Sequence, residues 1–511
     1  MRILMAAVSV VVAISAAGQA LADRKGGVLN VALKESHSGI DEIQTPGGEV
    51  QVMARAVQDR LMNFDGKTRT FIPSLAKSWR QIDDKTCEFT LRDDVLWHDG
   101  QKFTAEDVAY TINHVVDYRV KLLQKTRFTW MARAEALDAT RVRIVTTDPT
   151  ASALSSLAIN LAILPKHIHD PLANKAAFGK AVVGTGPCRL ISFDENAGVN
   201  LEINKNFRHA NNVRLAAQVE RIHLATIPDE QTSYAKLLVG EVDLTAVFGL
   251  DLAENLAKNP NLATTATNSF RYYYMGLDAA TRSGLVALSD VRVRKAIAHA
   301  INYDQLRKSV IAGGDLVLPL DAPCLSGQFG CEVTTPAARF DPARAKALLA
   351  EAGYKDGIEL SIWTLRIARQ VADAVSGYLR QVGIRASVRE VSFAGYNKDR
   401  SEGLMQSTVF IYGSGGVPDV SAVMAFFFED SPRDYAQDVL LKGIAATADR
   451  MLDDAKRNEI YRSAFDRNNE QAYVIPIASV PTIFIHSKEL AIPVDFSTNG
   501  FGVELETVRW K

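Results

Sequence analysis

Beyond residue 17 the sequence contains no apolar run long enough to cross a bilayer, which takes about 20 residues. It has no charge excess: 58 Lys and Arg stand against 59 Asp and Glu, a net −1. A nucleic-acid partner, which would demand a strongly basic face, is therefore not expected, and there is no polybasic stripe for a membrane surface. There are only four cysteines and no CxxC pair. HExxH, GxSxG, GxGxxG and Walker patterns are all missing, so zinc-protease, hydrolase and nucleotide chemistry lack their usual marks. Two SxxK matches, Ser74 with Lys77 and Ser233 with Lys236, lack the SDN and KTG companions of a serine acylase. His167 and His169 could offer two imidazoles to a metal, but no third ligand is identifiable, and Pro165 and Pro171 point to a loop. No metal or other cofactor is expected. Repeats, low-complexity tracts and heptads are missing too.

What is present begins with a leader. Arg2 gives a positive start, residues 3–17 form an apolar run of about 15 residues, and Ala20-Leu21-Ala22 is an A-x-A cleavage signal. The run is short for a membrane span, so residues 1–22 are expected to be a cleaved secretory signal peptide. Cutting before Asp23 exposes no cysteine for lipidation. In the oxidising compartment this implies, Cys324 and Cys331, bracketing the short loop CLSGQFGC, are expected to form a local disulfide. Whether Cys87 and Cys188 pair stays open.

The remaining chain is longer than one typical domain. Strand patterns fall at residues 28–33, 87–91, 201–203, 222–225, 359–363 and 385–391, and helical spacing at 51–62, 291–300 and 369–381. Thr104 caps a helix whose first turn carries Glu106 and Asp107. Asp341 and Pro342 start another, with Ala345, Leu348, Leu349 and Ala352 as its apolar stripe and Gly353 as its stop. Arg292 and Arg294 are expected to pair with acids at a helix start, and His98-Asp99-Gly100 to form a turn. Strands mixed with helices throughout indicate an α/β architecture.

Six segments, in order, carry a resemblance: DRLMNFD (59–65), PSLAKSW (73–79), FTLRDDVLWHDGQKFTAEDVAYT (89–111), VGTGPCRL (183–190), LSDVRVRKAIAHAIN (288–302) and FDPARAKALLAEAGYKDG (340–357). Together they resemble the large periplasmic solute-binding proteins, family 5, that serve peptide and nickel ABC importers. The resemblance implies an α/β type II periplasmic binding protein with two hinged lobes and an extra inserted subdomain. On that frame, residues 23–65, 182–275 and 481–511 form lobe 1, residues 66–181 the insert, and residues 276–480 lobe 2. The turn Gly184-Thr185-Gly186-Pro187 resembles the family's lobe-crossing turn. A periplasmic monomer is implied, not an enzyme, which takes a peptide or small solute and meets ABC permease subunits in the membrane. Other ligands open to the same fold are an opine, a sugar conjugate or a metal chelate. A secreted hydrolase is the rival from another class, though no nucleophile or metal constellation supports it.

The resemblance also marks site residues. Residues 409–429, VFIYGSGGVPDVSAVMAFFFE, match the stretch that meets ligand in relatives. Phe410 and Tyr412 stand at strand alternation, and one of them is expected to face the core. Matching Pro418-Asp419 to the relatives' Pro-Asp pair puts Ser414 where peptide binders carry an Asp for the ligand's α-ammonium. Asp419 survives, but the ammonium anchor itself is missing. Arg366 is the candidate for a ligand carboxylate, Trp363 for a stacking wall, and Ser36 and His37 for the cleft lining after the first strand.

Overall fold

The strand Val28–Leu33 sits between two parallel neighbours, Arg221–Thr226 and Leu244–Val247. Both of its faces are covered, which is why it reads as a nearly continuous apolar run rather than an alternation. Antiparallel strands extend this sheet to seven, Leu262–Thr267 and Thr482–Ser487 on one side and Gly198–Ile203 and Cys188–Asp194 on the other. The computed structural model describes residues 27–45, 47–66, 68–207, 217–247, 250–413, 415–429, 431, 433–493 and 502–511. The leader at residues 1–22 and Ser414 lie outside the described residues.

The insert is a four-stranded antiparallel sheet in the order Ala76–Asp83, Thr86–Leu91, Arg141–Thr146, Met131–Ala136. Helix Ala105–Val116 packs on it. The cap is reciprocal: Asp107 accepts from the Thr104 backbone N–H while Thr104 accepts from the third helical residue. Buried apolar side chains run without a break from Leu29 and Val31 of lobe 1 to Phe89, Trp97 and Ile112 of the insert. Lobe 1 and the insert thus share one core.

Lobe 2 has its own sheet, in the order Arg385–Glu390, Glu359–Thr364, Ser407–Gly413, Arg271–Leu277, Val474–Ser479. Its parallel pair 359–364 and 385–390 is joined by helix Arg369–Gln381, whose apolar stripe packs into a second core. Helices Val291–Ala300 and Pro342–Glu351 start on Asp290 and Asp341, which accept from the Arg292 and Arg344 backbone N–H groups.

Several expectations need correction. Residues 51–62 are not one helix: the helix is Gly48–Val57, and the chain turns extended at Gln58. The reason is tertiary. Arg60 is 1% exposed and grips Glu42 at 2.5 Å, and Asp59 accepts from Thr185 Oγ1 at 2.9 Å, geometries a continued helix would break. The turn at residues 184–187 is not a lobe crossing; it returns the insert to the lobe 1 sheet against Val57. A methyl group on Gly184 would lie 1.9 Å from the Val57 carbonyl oxygen, so only glycine fits. His98 clasps the same turn, accepting from Gly184 N–H at 3.2 Å and donating to Gly186 O at 3.0 Å, and burial pushes its imidazole down to about 4. The true crossings are residues 268–270 and 480–481, so lobe 2 begins at Arg271, a few residues before the expected boundary. Residues 166–169 are a short helix rather than a loop, and its two imidazoles diverge: His167 meets Asp99 at 2.7 Å, His169 meets Tyr110 at 2.7 Å. Arg292 pairs with Asp290, but Arg294 donates instead to the carbonyls of Leu288, Ser289 and Gln471. Residues two apart in a strand share a face, and both Phe410 and Tyr412 pack into aromatic clusters.

Candidate ligand-binding cleft

Parallel strands of an open sheet present their carboxyl ends to ligand. In lobe 1 that edge carries Glu35, Ser36 and His37. Glu49, at the start of helix Gly48–Val57, accepts from the Lys34 and Glu35 backbone N–H groups and meets His37 Nε2 at 3.1 Å. Burial and the nearby Glu49 push the Glu35 carboxyl up, with His37 opposing. The ligand atoms of these three residues lie within 4.8 Å of one another, yet Glu49 is already spent on hydrogen bonds. Ser36 donates to the Glu195 carbonyl at 2.8 Å.

From lobe 2, strand Ser407–Gly413 delivers a glycine-rich loop to the opposite side. Gln51 of lobe 1 reaches across and donates to Gly415 O at 3.2 Å. The loop continues to Asp419, which is 3% exposed and bound bidentately by Arg457 at 2.8 and 2.9 Å. Asp419 also accepts from the Ser421 backbone N–H at 2.9 Å. Asp419 thus bonds both its own loop and the helix Asp454–Gln471. Arg457 bonds Asp449, which in turn accepts from Ser152 N and Oγ of the insert at 2.9 and 2.5 Å.

Between the insert and lobe 2 lies a cavity of about 690 Å³. Phe64, Phe71 and Trp130 form one wall; Phe329, Cys331, Asp419 and Arg457 form the other. The Cys324–Cys331 disulfide, with Cα atoms 5.8 Å apart, pins the loop that supplies the second wall. Arg69 closes one end by donating to Ser326 O at 2.9 Å. Cys87, also on the wall, is a free thiol that burial pushes up to about 11; Cys188 is free and buried.

The structure does not gather every candidate residue. Trp363 is a core side chain of lobe 2, its indole donating to Asp399 at 2.9 Å, so it forms no stacking wall. Tyr412 is likewise buried, 5.0 Å from the Tyr272 and Phe426 rings. Arg366 is exposed where strand Glu359–Thr364 ends, on the edge that carries the glycine loop. Sequence reasoning passed over Gln51, Arg127 and Arg271, since nothing local distinguishes them from surface residues.

The family model for bacterial extracellular solute-binding proteins, family 5 Middle, matches residues 70–434. The chain belongs to this family. Among curated relatives, the di/tripeptide-binding protein 3 of Pseudomonas aeruginosa (strain UCBPP-PA14) is 26% identical over 484 residues, covering 87% of this chain and 88% of its own. The dipeptide-binding protein of Escherichia coli (strain K12) is 24% identical over 509 residues, covering 91% and 89%. A heme-binding protein A from Haemophilus influenzae is 22% identical over 403 residues, covering 73% and 72%. Among solved structures, DppA from Helicobacter pylori in complex with peptide STSA superposes with TM-score 0.76 at 22% identity, covering 95% of this chain and 98% of that one. The binding protein MoaA from A.tumefacien R10, in complex with mannopinic acid, superposes with TM-score 0.76 at 19% identity, covering 95% and 99%. These superpositions establish the family 5 fold, a two-lobed type II periplasmic binding protein, for this chain.

Proposed function

We propose that this protein is the solute-capturing component of an ABC importer, exported to the periplasm with cleavage after Ala22, and that its ligand is a peptide or peptide-like solute. The observation that carries the reading is the pair of crossings at residues 268–270 and 480–481, which leaves two lobes free to close over the cleft between them. Family membership and the peptide-binding relatives support it. Among the described residues no helix is long and apolar enough to cross a membrane, in keeping with a carrier that visits its permease. The chain holds no nucleotide-binding motif, so the energy for import comes from partner subunits. A second reading, an opine, sugar conjugate or metal chelate, is favoured by one particular: Ser414 stands where peptide binders place the acid for the α-ammonium.

Thermal-shift titration against peptide, opine and sugar-conjugate pools tests the proposal. A binding protein gains stability that rises with ligand concentration, about 2.7 kcal/mol at one hundred times Kd, and forms no product. Flat melting curves with every pool, or turnover of a pool member, would overturn it. N-terminal sequencing of periplasmic protein should begin at Asp23; a start at Met1 would refute the export step.

A further inference from the structure

The insert shares one core with lobe 1, so the two move together, and any bond between the insert and lobe 2 is one that opening must break. Gln51 and Arg69 reach across to backbone carbonyls. Asp449 of lobe 2 does more: it takes three hydrogen bonds from the start of the insert helix Ala153–Asn160. Its backbone carbonyl accepts from Ala151 N–H at 2.7 Å, its Oδ1 from Ser152 N–H at 2.9 Å and its Oδ2 from Ser152 Oγ at 2.5 Å. The next residue, Arg450, reaches Asp148 of the insert at 3.2 Å.

Ser152 is the N-cap of that helix, a place where a serine oxygen ordinarily accepts from a backbone N–H of the first turn. It makes no such bond and donates instead to lobe 2. The Asp449 carboxylate sits at the helix start in its stead, where free N–H groups favour a negative charge. The helix is thus capped by an acid from the other lobe, and only while the lobes are shut. From its own side Asp449 is held by Arg457 at 2.8 Å. The remaining bonds of Arg457 go to Asp419 and the Tyr461 hydroxyl, and its guanidinium lies 4.8 Å from the Phe329 ring centroid. Asp419, Phe329 and Arg457 form one wall of the cavity. One arginine therefore ties the contact between the lobes to the cavity wall. Burial and Asp419 push the Asp449 carboxyl up, while Arg457 and the two Ser152 bonds oppose them. Each bond from the insert thus favours the ionised form that accepts it.

We infer that Asp449 is the positioning residue of a closure latch: it docks on the start of helix Ala153–Asn160 as the lobes shut, and its grip sets how long a captured solute is held. This deepens the solute-binding reading and rests on it. The open form lacks these bonds, so they slow opening and leave capture unchanged. Because Arg457 holds latch and wall together, a wall that shifts takes the latch with it.

The test uses the full mature protein. Wild type, Ser152→Ala, Ser152→Thr, Asp449→Ala and the double variant Ser152→Ala, Asp449→Ala are loaded from deproteinised bacterial extract. Each is then transferred to solute-free buffer, and native mass spectrometry follows the fraction carrying solute through loading and through loss. Ser152→Ala should load at the wild-type rate and lose solute roughly 10-fold faster, the lower end for a hydrogen bond to a charged group. Ser152→Thr keeps the hydroxyl and should retain solute as wild type does. Asp449→Ala should also lose solute faster, and adding Ser152→Ala to it should change nothing further, because the serine acts through the acid. Equal loss from wild type and Ser152→Ala overturns the latch while leaving solute binding intact. So does slower loading by Ser152→Ala, a Ser152→Thr variant as leaky as Ser152→Ala, or additive losses in the double variant. If Asp449→Ala does not fold, the three proteins that differ only at residue 152 decide the matter alone. Retention of nothing by wild type overturns the solute-binding reading, and this inference with it.

Discussion

Replacing Arg457 by Met should destabilise the protein by about 3–5 kcal/mol at pH 8, the usual cost of leaving a buried charge without its partner. Arg457 is 2% exposed, and its guanidinium meets Asp419 twice, Asp449 at 2.8 Å and the Tyr461 hydroxyl at 3.2 Å. Burial alone would lower it, yet Asp419, Tyr461 and Asp449 together hold it above the ordinary arginine range. Removing it leaves the buried Asp419 carboxylate and the half-buried Asp449 carboxylate without their shared cation. Burial already pushes the Asp449 carboxyl up, and in wild type Arg457 opposes that push. In the variant Asp449 therefore binds its proton more tightly when folded than when unfolded. A folded state that holds the extra proton loses stability as pH rises, so the deficit should be smaller at pH 5 than at pH 8. The double variant Asp419→Asn, Arg457→Met removes one charge of each sign and should recover about half of the loss or more. Urea unfolding followed by circular dichroism at both pH values measures all of this. A deficit under about 1 kcal/mol at pH 8, or a double variant no better than the single one, would refute the argument that this pair is held by mutual compensation.

Gly184→Ala should fail to fold or lose several kcal/mol, because its methyl group collides with a backbone carbonyl that the His98 clasp fixes in place. Gly100→Ala is its control: φ is +90° with nothing within 4 Å, so it should cost only about 1–3 kcal/mol of backbone strain, and comparison of their melting temperatures decides. Asp41, fully buried, has its carboxyl pushed up to about 7 by that burial, against the Ile43 N–H bond. It is therefore protonated in the fold over a range where the unfolded chain has released the proton. Stability should fall by as much as about 4 kcal/mol between pH 4 and pH 7, and Asp41→Asn should flatten that slope in a pH series of denaturant melts. Removing the disulfide by Cys324→Ser with Cys331→Ser should cost roughly 2–3 kcal/mol from a loop this short, measured by thermal melting.

Local elements were legible because their signals are local. Strand Val28–Leu33 and helices Val291–Ala300 and Arg369–Gln381 fall where periodicity and caps place them. The misreadings come from side chains whose partners are distant in sequence. Residues 58–61 carry helical spacing, but Asp59 and Arg60 answer to Thr185 and Glu42. Trp363 and Tyr412 look like ligand-facing aromatics beside a glycine loop, while the tertiary structure spends them on the lobe 2 cores. Arg127 and Arg271 lie 144 residues apart, and only the fold brings both to one loop.

The two crossings run beside each other as a ribbon. Thr267 pairs with Thr482 in the lobe 1 sheet, Tyr272 with Ser479 in the lobe 2 sheet, and Val480 N–H donates to Arg271 O at 2.9 Å between them. A hydrogen-bonded pair of strands bends and twists readily but resists sliding, so the lobes can swing about it like the leaves of a book and cannot drift sideways. Near such a spine displacement is small; at the outer rim it is large. Arg271 springs from the spine and stays nearly still throughout the swing, whereas Arg127 rides on the far leaf with the insert.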